Sequence, residues 1–217
     1  MVKPLSRLTS VAVSLLALTS AVWAGPPFPV VRAASSANGK FLVVMEFEYL
    51  NPDQLVRTIT RVSYRVLRRE EFINDEFTTA NPFWSYDWDV ALAPKGEGIP
   101  LPFISNDGEY LVLASVDPPF SDVTVLRIYR EHRYGGEDLL ATYKLKDIWT
   151  ADELKAHATL SSTGRPLWFA GSTLGFSADS SAFVVRTPGG TPWGTPWSMP
   201  WGREVRLNLT DGAIHPH

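Results

Sequence analysis

Three stretches of the chain follow one pattern, a serine-led polar turn running into an apolar strand. Ser36-Ala37-Asn38-Gly39-Lys40 precedes Phe41-Leu42-Val43-Val44, and Ser105-Asn106-Asp107-Gly108-Glu109 precedes Tyr110-Leu111-Val112-Leu113. Ser177-Ala178-Asp179-Ser180-Ser181 precedes Ala182-Phe183-Val184-Val185. The copies begin 69 and 72 residues apart, a period that marks a supersecondary unit laid down several times. Asn-Gly and Asp-Gly favour tight turns because glycine takes positive φ without a Cβ clash. The third copy carries Ser180 where the others have glycine, so its turn is predicted to be strained or of another type.

The strand after each turn is apolar on both faces. In the middle copy Tyr110 and Val112 point one way, Leu111 and Leu113 the other. Burying such side chains is worth about 1.5–3 kcal/mol each, so a strand of this kind belongs between two covering layers. Ile59 to Arg68 is mixed instead: Val62, Tyr64 and Val66 share one face, Arg61, Ser63 and Arg65 the other. Greasy inner strands beside amphipathic outer ones suit blades stacked face to face. The expected fold is therefore mainly β, three propeller-like antiparallel blades in an open or partial propeller, with one short helix. A two-sheet β-sandwich is the alternative.

Taken in order, the blades are expected at about 28–92, 101–146 and 167–214 within a single β domain spanning 25–217. Val30 to Ala34 reads as the first strand, Leu139 to Lys146 as the last of the middle blade. Thr150-Ala151-Asp152-Glu153 is a capping box that starts a helix over about 151–157. Pro188 to Gly202 holds a tandem repeat, Thr191-Pro192-Trp193-Gly194, Thr195-Pro196-Trp197-Ser198 and Met199-Pro200-Trp201-Gly202. Proline blocks ladder pairing, so this reads as a protruding loop. His215-Pro216-His217 reads as a frayed tail.

The segments Ile104 to Val112 and Gly175 to Asp179 resemble the strand pair "F-S-x-D-G-x-x-L-V" of TolB-like and related β-propeller blades. Leu139 to Ile148, Trp168-Phe169 and Phe183 to Thr187 extend the likeness, which is similar to that of short secreted bacterial proteins carrying such blades. The resemblance implies a fold and supplies no active site.

Met1 to Ala24 has the order of a secretory signal peptide: Lys3 and Arg7, the apolar run Leu8 to Leu18, then the small-residue site Val22-Trp23-Ala24. Cleavage after residue 24 changes the formal charge from −3 to −5, because Lys3 and Arg7 leave with it. A mildly acidic chain is a poor partner for nucleic acid, which needs a basic surface, so no nucleic-acid partner is expected. No later segment is apolar over the ~20 residues of a membrane-spanning helix, so no membrane anchor is expected after cleavage. There is no cysteine, which excludes a disulfide framework and a lipid-modified cysteine. A periplasmic or extracellular location follows as the expectation. Arg61 and Arg65, the centre of the one basic run, are expected on a solvated or Glu-paired face.

Enzyme signatures are scarce. The sequence contains no G-x-S-x-G, H-E-x-x-H, P-loop or EF-hand pattern, so no cofactor, metal or catalytic residue is assigned. Two constellations remain as candidate ligand-binding residues. In Trp84-Ser85-Tyr86-Asp87-Trp88-Asp89, rings could stack on a sugar while carboxylates take its hydroxyls. Asp87 and Asp89 fall on one strand face about 7 Å apart, a separation compatible with glycoside hydrolysis. The plainer alternative is a blade edge whose Trp84 and Trp88 cover the core. The second set is Trp193, Trp197 and Trp201, either stiffly presented anchors or cover for an open sheet edge.

The function expected is an exported non-catalytic binding or assembly module of the bacterial envelope. The alternatives are a small exported glycan hydrolase using Asp87 and Asp89, or a purely structural subunit. A protein or glycan partner fits, as do further copies of the chain in a homo-oligomer. Expressed with its leader in a bacterial host, the exported protein is expected to begin at Gly25. Intact mass of the periplasmic or culture fraction checks this, and a mass retaining residues 1–24 would contradict the leader reading.

Overall fold

The computed structural model describes residues 32–50, 58–70, 82–90, 92, 99–115, 122–131, 137–157, 173–188 and 201–216. The leader at 1–24, the tandem tryptophan repeat up to residue 200 and the expected strand at 167–170 lie outside the described residues.

Among the described residues twelve strands form three four-stranded antiparallel sheets, each a simple meander. The first contains β1 (Arg32–Ser35), β2 (Phe41–Tyr49), β3 (Ile59–Arg68) and β4 (Trp84–Asp89). The second contains β5 (Leu101–Ile104), β6 (Tyr110–Ala114), β7 (Thr124–Glu131) and β8 (Glu137–Lys144). The third contains β9 (Thr173–Phe176), β10 (Ala182–Pro188), β11 (Trp201–Asn208) and β12 (Ile214–Pro216). β1 and β2 contact β5, β5 contacts β9, and β4 contacts β8, so the sheets stack in matched order. Three sheets rather than two remove the sandwich alternative, and none of them closes into a barrel. The result is an open stack of propeller-like blades.

The middle sheet is buried from both sides. Leu111 and Leu113 pack toward the first sheet with Val43, Met45, Val62, Tyr64, Val66, Trp84 and Trp88. Val112 and Ala114 pack the opposite way, with Phe183, Val185, Val205 and Leu207 of the third sheet. Ring contacts reinforce this second layer: Phe183 meets Phe103 at 5.4 Å and Phe176 at 5.2 Å, both edge to face. The first sheet shows the expected gradient. Val62, Tyr64 and Val66 are fully buried, while Arg61 and Arg65 pair with Glu48 and Glu46 on the far face at 3.7 and 2.6 Å.

The repeated turns have one geometry. In each, the serine hydroxyl donates to the carboxylate or amide oxygen two residues on, Asn38, Asp107 or Asp179. That same oxygen accepts the N–H of Lys40, Glu109 or Ser181. The serine Oγ in turn accepts the N–H of Phe41, Tyr110 or Ala182 at 3.0–3.1 Å. Positive φ closes all three, 68° at Gly39, 78° at Gly108 and 55° at Ser180. The third turn is thus strained rather than of another type. Its compensation is visible: Ser180 Oγ accepts the Asn106 N–H of the middle turn at 3.2 Å. Asn38 bonds the same Asn106 twice, at 2.9 and 2.8 Å. The turns therefore form a ladder running from sheet to sheet.

Among the described residues two helices follow β8, where one was expected. Leu139 to Lys146 does not continue as a strand, because β8 ends at Lys144 and α1 (Leu145–Ile148) begins there. Asp147 caps this turn by accepting the Lys144 N–H at 2.7 Å, and Leu145 and Ile148 bury on one side of it. α2 (Ala151–His157) has the predicted capping box, Glu153 N–H to Thr150 Oγ1 at 3.1 Å and Thr150 N–H to Glu153 Oε2 at 2.7 Å. Glu153 also binds Arg203 of β11 at 2.8 Å and takes the Thr187 hydroxyl at 3.0 Å. Burial pushes the Glu153 carboxyl up, but Arg203, the Thr150 N–H and Thr187 together outweigh it and leave it below its ordinary range. A single residue thus caps the helix and fastens it to the third sheet.

The C-terminal stretch also differs from expectation. Ile214–Pro216 is not frayed; it pairs with β11, setting His215 opposite Arg206. Pro216 is tolerated because β12 is an edge strand.

Gly108 is constrained twice, by its positive φ and because a Cβ there would overlap the Phe41 ring. Gly108→Ala is expected to destabilise by roughly 2–4 kcal/mol through left-handed strain and overpacking. Ser180→Gly is expected to stay within about 1 kcal/mol of wild type, since relief of φ offsets the lost Asn106 bond. Denaturant unfolding of both variants checks the pair; equal losses at the two positions would contradict it.

Candidate functional site

Strand β4 is the outermost strand of the first sheet, and it divides its residues between two faces. Trp84, Tyr86 and Trp88 point inward, opposite Val66, Tyr64 and Val62 of β3. Ser85, Asp87 and Asp89 point outward, opposite Arg65, Ser63 and Arg61. The alternation that suggested mixed rings and carboxylates thus separates them across the sheet.

The two tryptophans are core residues, 5% and 6% exposed. Trp84 donates its Nε1–H to the Gly108 carbonyl at 2.8 Å, tying the first sheet to the middle turn. Trp88 is covered on its ring by the Arg127 guanidinium at 4.6 Å. Tyr86 packs on Tyr129 of β7 with ring centres 4.1 Å apart, and the two hydroxyls bond at 2.7 Å. On the other face Asp87 and Asp89 are exposed, and Asp87 accepts the Ser63 hydroxyl at 2.6 Å.

At the rim the faces come together again. A cleft of about 280 Å³ opens between β4 and β7, lined by Tyr86, Asp87, Trp88, Asp89, Leu92, Arg127 and Tyr129. Four of the eight predicted ligand-binding residues, Tyr86, Asp87, Trp88 and Asp89, therefore border one space. Trp84 sits deeper, in the core. Trp193 and Trp197 lie outside the described residues; Trp201 begins β11 opposite Pro188 and is far along the chain from this cleft.

Leu92, Arg127 and Tyr129 are additions that the sequence did not single out. Leu92 is 82% exposed, an apolar side chain held at the mouth by the bond of its N–H to the Asp89 carbonyl at 3.2 Å. Arg127 and Tyr129 arrive from a different sheet, and only the stacking of the first two sheets places them here. Their signal in the sequence was the i, i+2 spacing that puts both on the face of β7 shared with Leu111 and Leu113. Among the described residues no group of three or more His, Asp or Glu side chains is arranged to hold a metal ion.

No family model matches the chain. No curated protein matches it either. Among solved structures it is similar to a candidate 6-phosphogluconolactonase of Bacteroides fragilis, with a TM-score of 0.39 and 10% identity over 85% of this chain and 36% of that one. It is also similar to a second candidate 6-phosphogluconolactonase, from Bacteroides uniformis, with a TM-score of 0.28 and 10% identity over 85% of this chain and 57% of that one. The chain thus spans about a third to rather more than half the length of these structures.

The division of β4 has a measurable consequence. Trp88→Ala is expected to cost about 3–5 kcal/mol, as large-to-small changes in a packed core do. Asp87→Asn and Asp89→Asn, on the exposed face, are expected to stay within about 0.5 kcal/mol of wild type. Thermal and denaturant unfolding check both; a tolerated Trp88→Ala would place that ring outside the core.

Proposed function

We propose that the protein is an exported, non-catalytic binding module, built of blades of the TolB-like kind, that holds a hydroxyl-rich glycan at the β4–β7 rim. The observation that carries this reading is the meeting of Asp87 and Asp89 with Tyr86, Arg127 and exposed Leu92 around one cleft. Carboxylates and a guanidinium supply acceptors and donors for sugar hydroxyls. Exposed Leu92 offers an apolar surface for the C–H face of a sugar. The Trp88 ring already carries Arg127, so it reports on the cleft without being the stacking platform.

Binding is favoured over hydrolysis by where the carboxylates stand. A glycosidase needs one carboxyl held protonated, by burial or by a close like charge, and a second one ionised. Asp87 and Asp89 are both exposed, on a face shared with Arg61 and Arg65. Neither carboxyl has the burial that such an acid requires.

Titration of envelope-derived oligosaccharides, followed by tryptophan fluorescence, tests the reading. A saturable change assigned to Trp88 by its loss in Trp88→Phe is expected, with no reducing ends released. Asp89→Asn is expected to weaken binding roughly ten- to a hundredfold, the worth of a hydrogen bond to a charged group. Release of reducing ends that stops in Asp87→Asn would replace the binding module with a hydrolase. The absence of any saturable response would remove the glycan reading.

A further inference from the structure

The third sheet turns one face to the core and the other outward. On the outward face Val184 stands opposite Arg206 and Arg186 opposite Glu204, with Gly175 and Thr173 beside them on β9. Glu204 accepts from both arginines, Arg186 Nε at 2.9 Å and Arg206 Nη1 at 3.1 Å. Hydrogen bonding from Arg186 is the main cause that holds the Glu204 carboxyl below its ordinary range, so it stays ionised and braces both guanidiniums. Two positive groups share one negative group, which leaves a local surplus of one positive charge. Each guanidinium carries five N–H donors, and Glu204 accepts from one nitrogen of each.

In front of this pair lies a cleft of about 630 Å³, lined by Thr173, Gly175, Ser177, Val184, Arg186 and Arg206 among others. That volume is in the range of small-molecule sites, roughly 300–1,000 Å³. Gly175 is the telling residue. Its backbone is not in the positive-φ region that requires glycine, and a Cβ built on it would meet nothing within 4 Å. The described fold does not need glycine here; its effect is to leave the floor of the cleft bare. At the far end Asp179 faces its own turn, taking bonds from Ser177 and Ser181 that hold its carboxyl down to about 2. The cleft is therefore positive at one end and negative at the other.

We propose that this cleft binds a small molecule bearing a carboxylate or phosphate group, with the oxyanion on Arg186 and Arg206 and an uncharged, hydroxylated body over Gly175 and Val184. The site is on the third sheet, independent of the β4–β7 rim, and its success or failure leaves the glycan reading untouched.

Calorimetric titration with glycerate and with glycerol 3-phosphate at low ionic strength tests it. One of the two is expected to bind saturably at one site per chain, and the tighter one identifies the oxyanion. Arg186→Gln and Arg206→Gln are each expected to weaken that binding roughly tenfold or more, as the loss of a charge-assisted contact does. Gly175→Val keeps every charge and fills the floor, so it is also expected to weaken binding at least tenfold while melting with the wild type. If that variant misfolds, Thr173→Tyr on the exposed rim provides the same obstruction. No saturable binding of either probe would overturn the proposal. So would wild-type affinity in the folded obstructed variant, because the attraction would then be charge alone.

Discussion

From Leu111 to Ala114 the side chains of β6 leave the strand in opposite directions, and neither set meets water. Leu111 and Leu113 enter the layer shared with the first sheet, Val112 and Ala114 the layer shared with the third. A single antiparallel sheet commonly keeps one wet face; at Leu111 to Ala114 this one has none. The middle sheet is consequently the element against which both others are registered. Removing either neighbour would strand about half of its apolar side chains in solvent, at about 1.5–3 kcal/mol for each one fully exposed.

Apolar burial sets that the sheets stack, but it does not by itself fix their register. Directional bonds do so. The turn ladder from Asn38 through Asn106 to Ser180 fixes one end of the stack. Buried donors fix the interior, Trp84 to the Gly108 carbonyl and Tyr64 to the Pro100 carbonyl at 2.9 Å. On the other side of the middle sheet the Tyr143 hydroxyl reaches the Gly212 carbonyl at 2.9 Å. Burial, with the Asp211 charge as a lesser cause, pushes the Tyr143 phenol up to about 12, so it stays a donor throughout the physiological range. The glycine turn it meets approaches closely: a Cβ on Gly212 would lie 2.9 Å from that of Ala141.

Much of this architecture could be read from the chain, because its signals are local. The serine-led turns, the two-faced apolar run at Tyr110 to Leu113, the amphipathic β3 and the Thr150–Glu153 capping box each depend on residues within a few positions of one another. The sequence was misleading where apolar periodicity is ambiguous. Leu145 and Ile148 continue a strand-like run but are three apart, a spacing that also suits one helical turn. The His215-Pro216 tail reads as a frayed end, whereas it pairs as an edge strand, where proline is accepted. The candidate site was less legible. Tyr86, Asp87, Trp88 and Asp89 were found as a run, but strand alternation sends them to two faces. Arg127 and Tyr129 complete the cleft only through the stacking of sheets, a contact between residues some forty positions apart that no local pattern encodes.

The same stacking decides what the surfaces can do. Inward residues such as Trp84 and Trp88 are committed to holding sheets together, which leaves recognition to rims and outward faces: the β4–β7 cleft and the outer face of the third sheet. All of this rests on the dryness of both faces of β6. The chain has no native cysteine, so Leu111→Cys and Val112→Cys each introduce a single thiol, one on either face. Native-state labelling with a water-soluble thiol reagent is the most direct measurement. The stacked arrangement predicts that both thiols react only at the rate of global unfolding; rapid labelling of either one would contradict it.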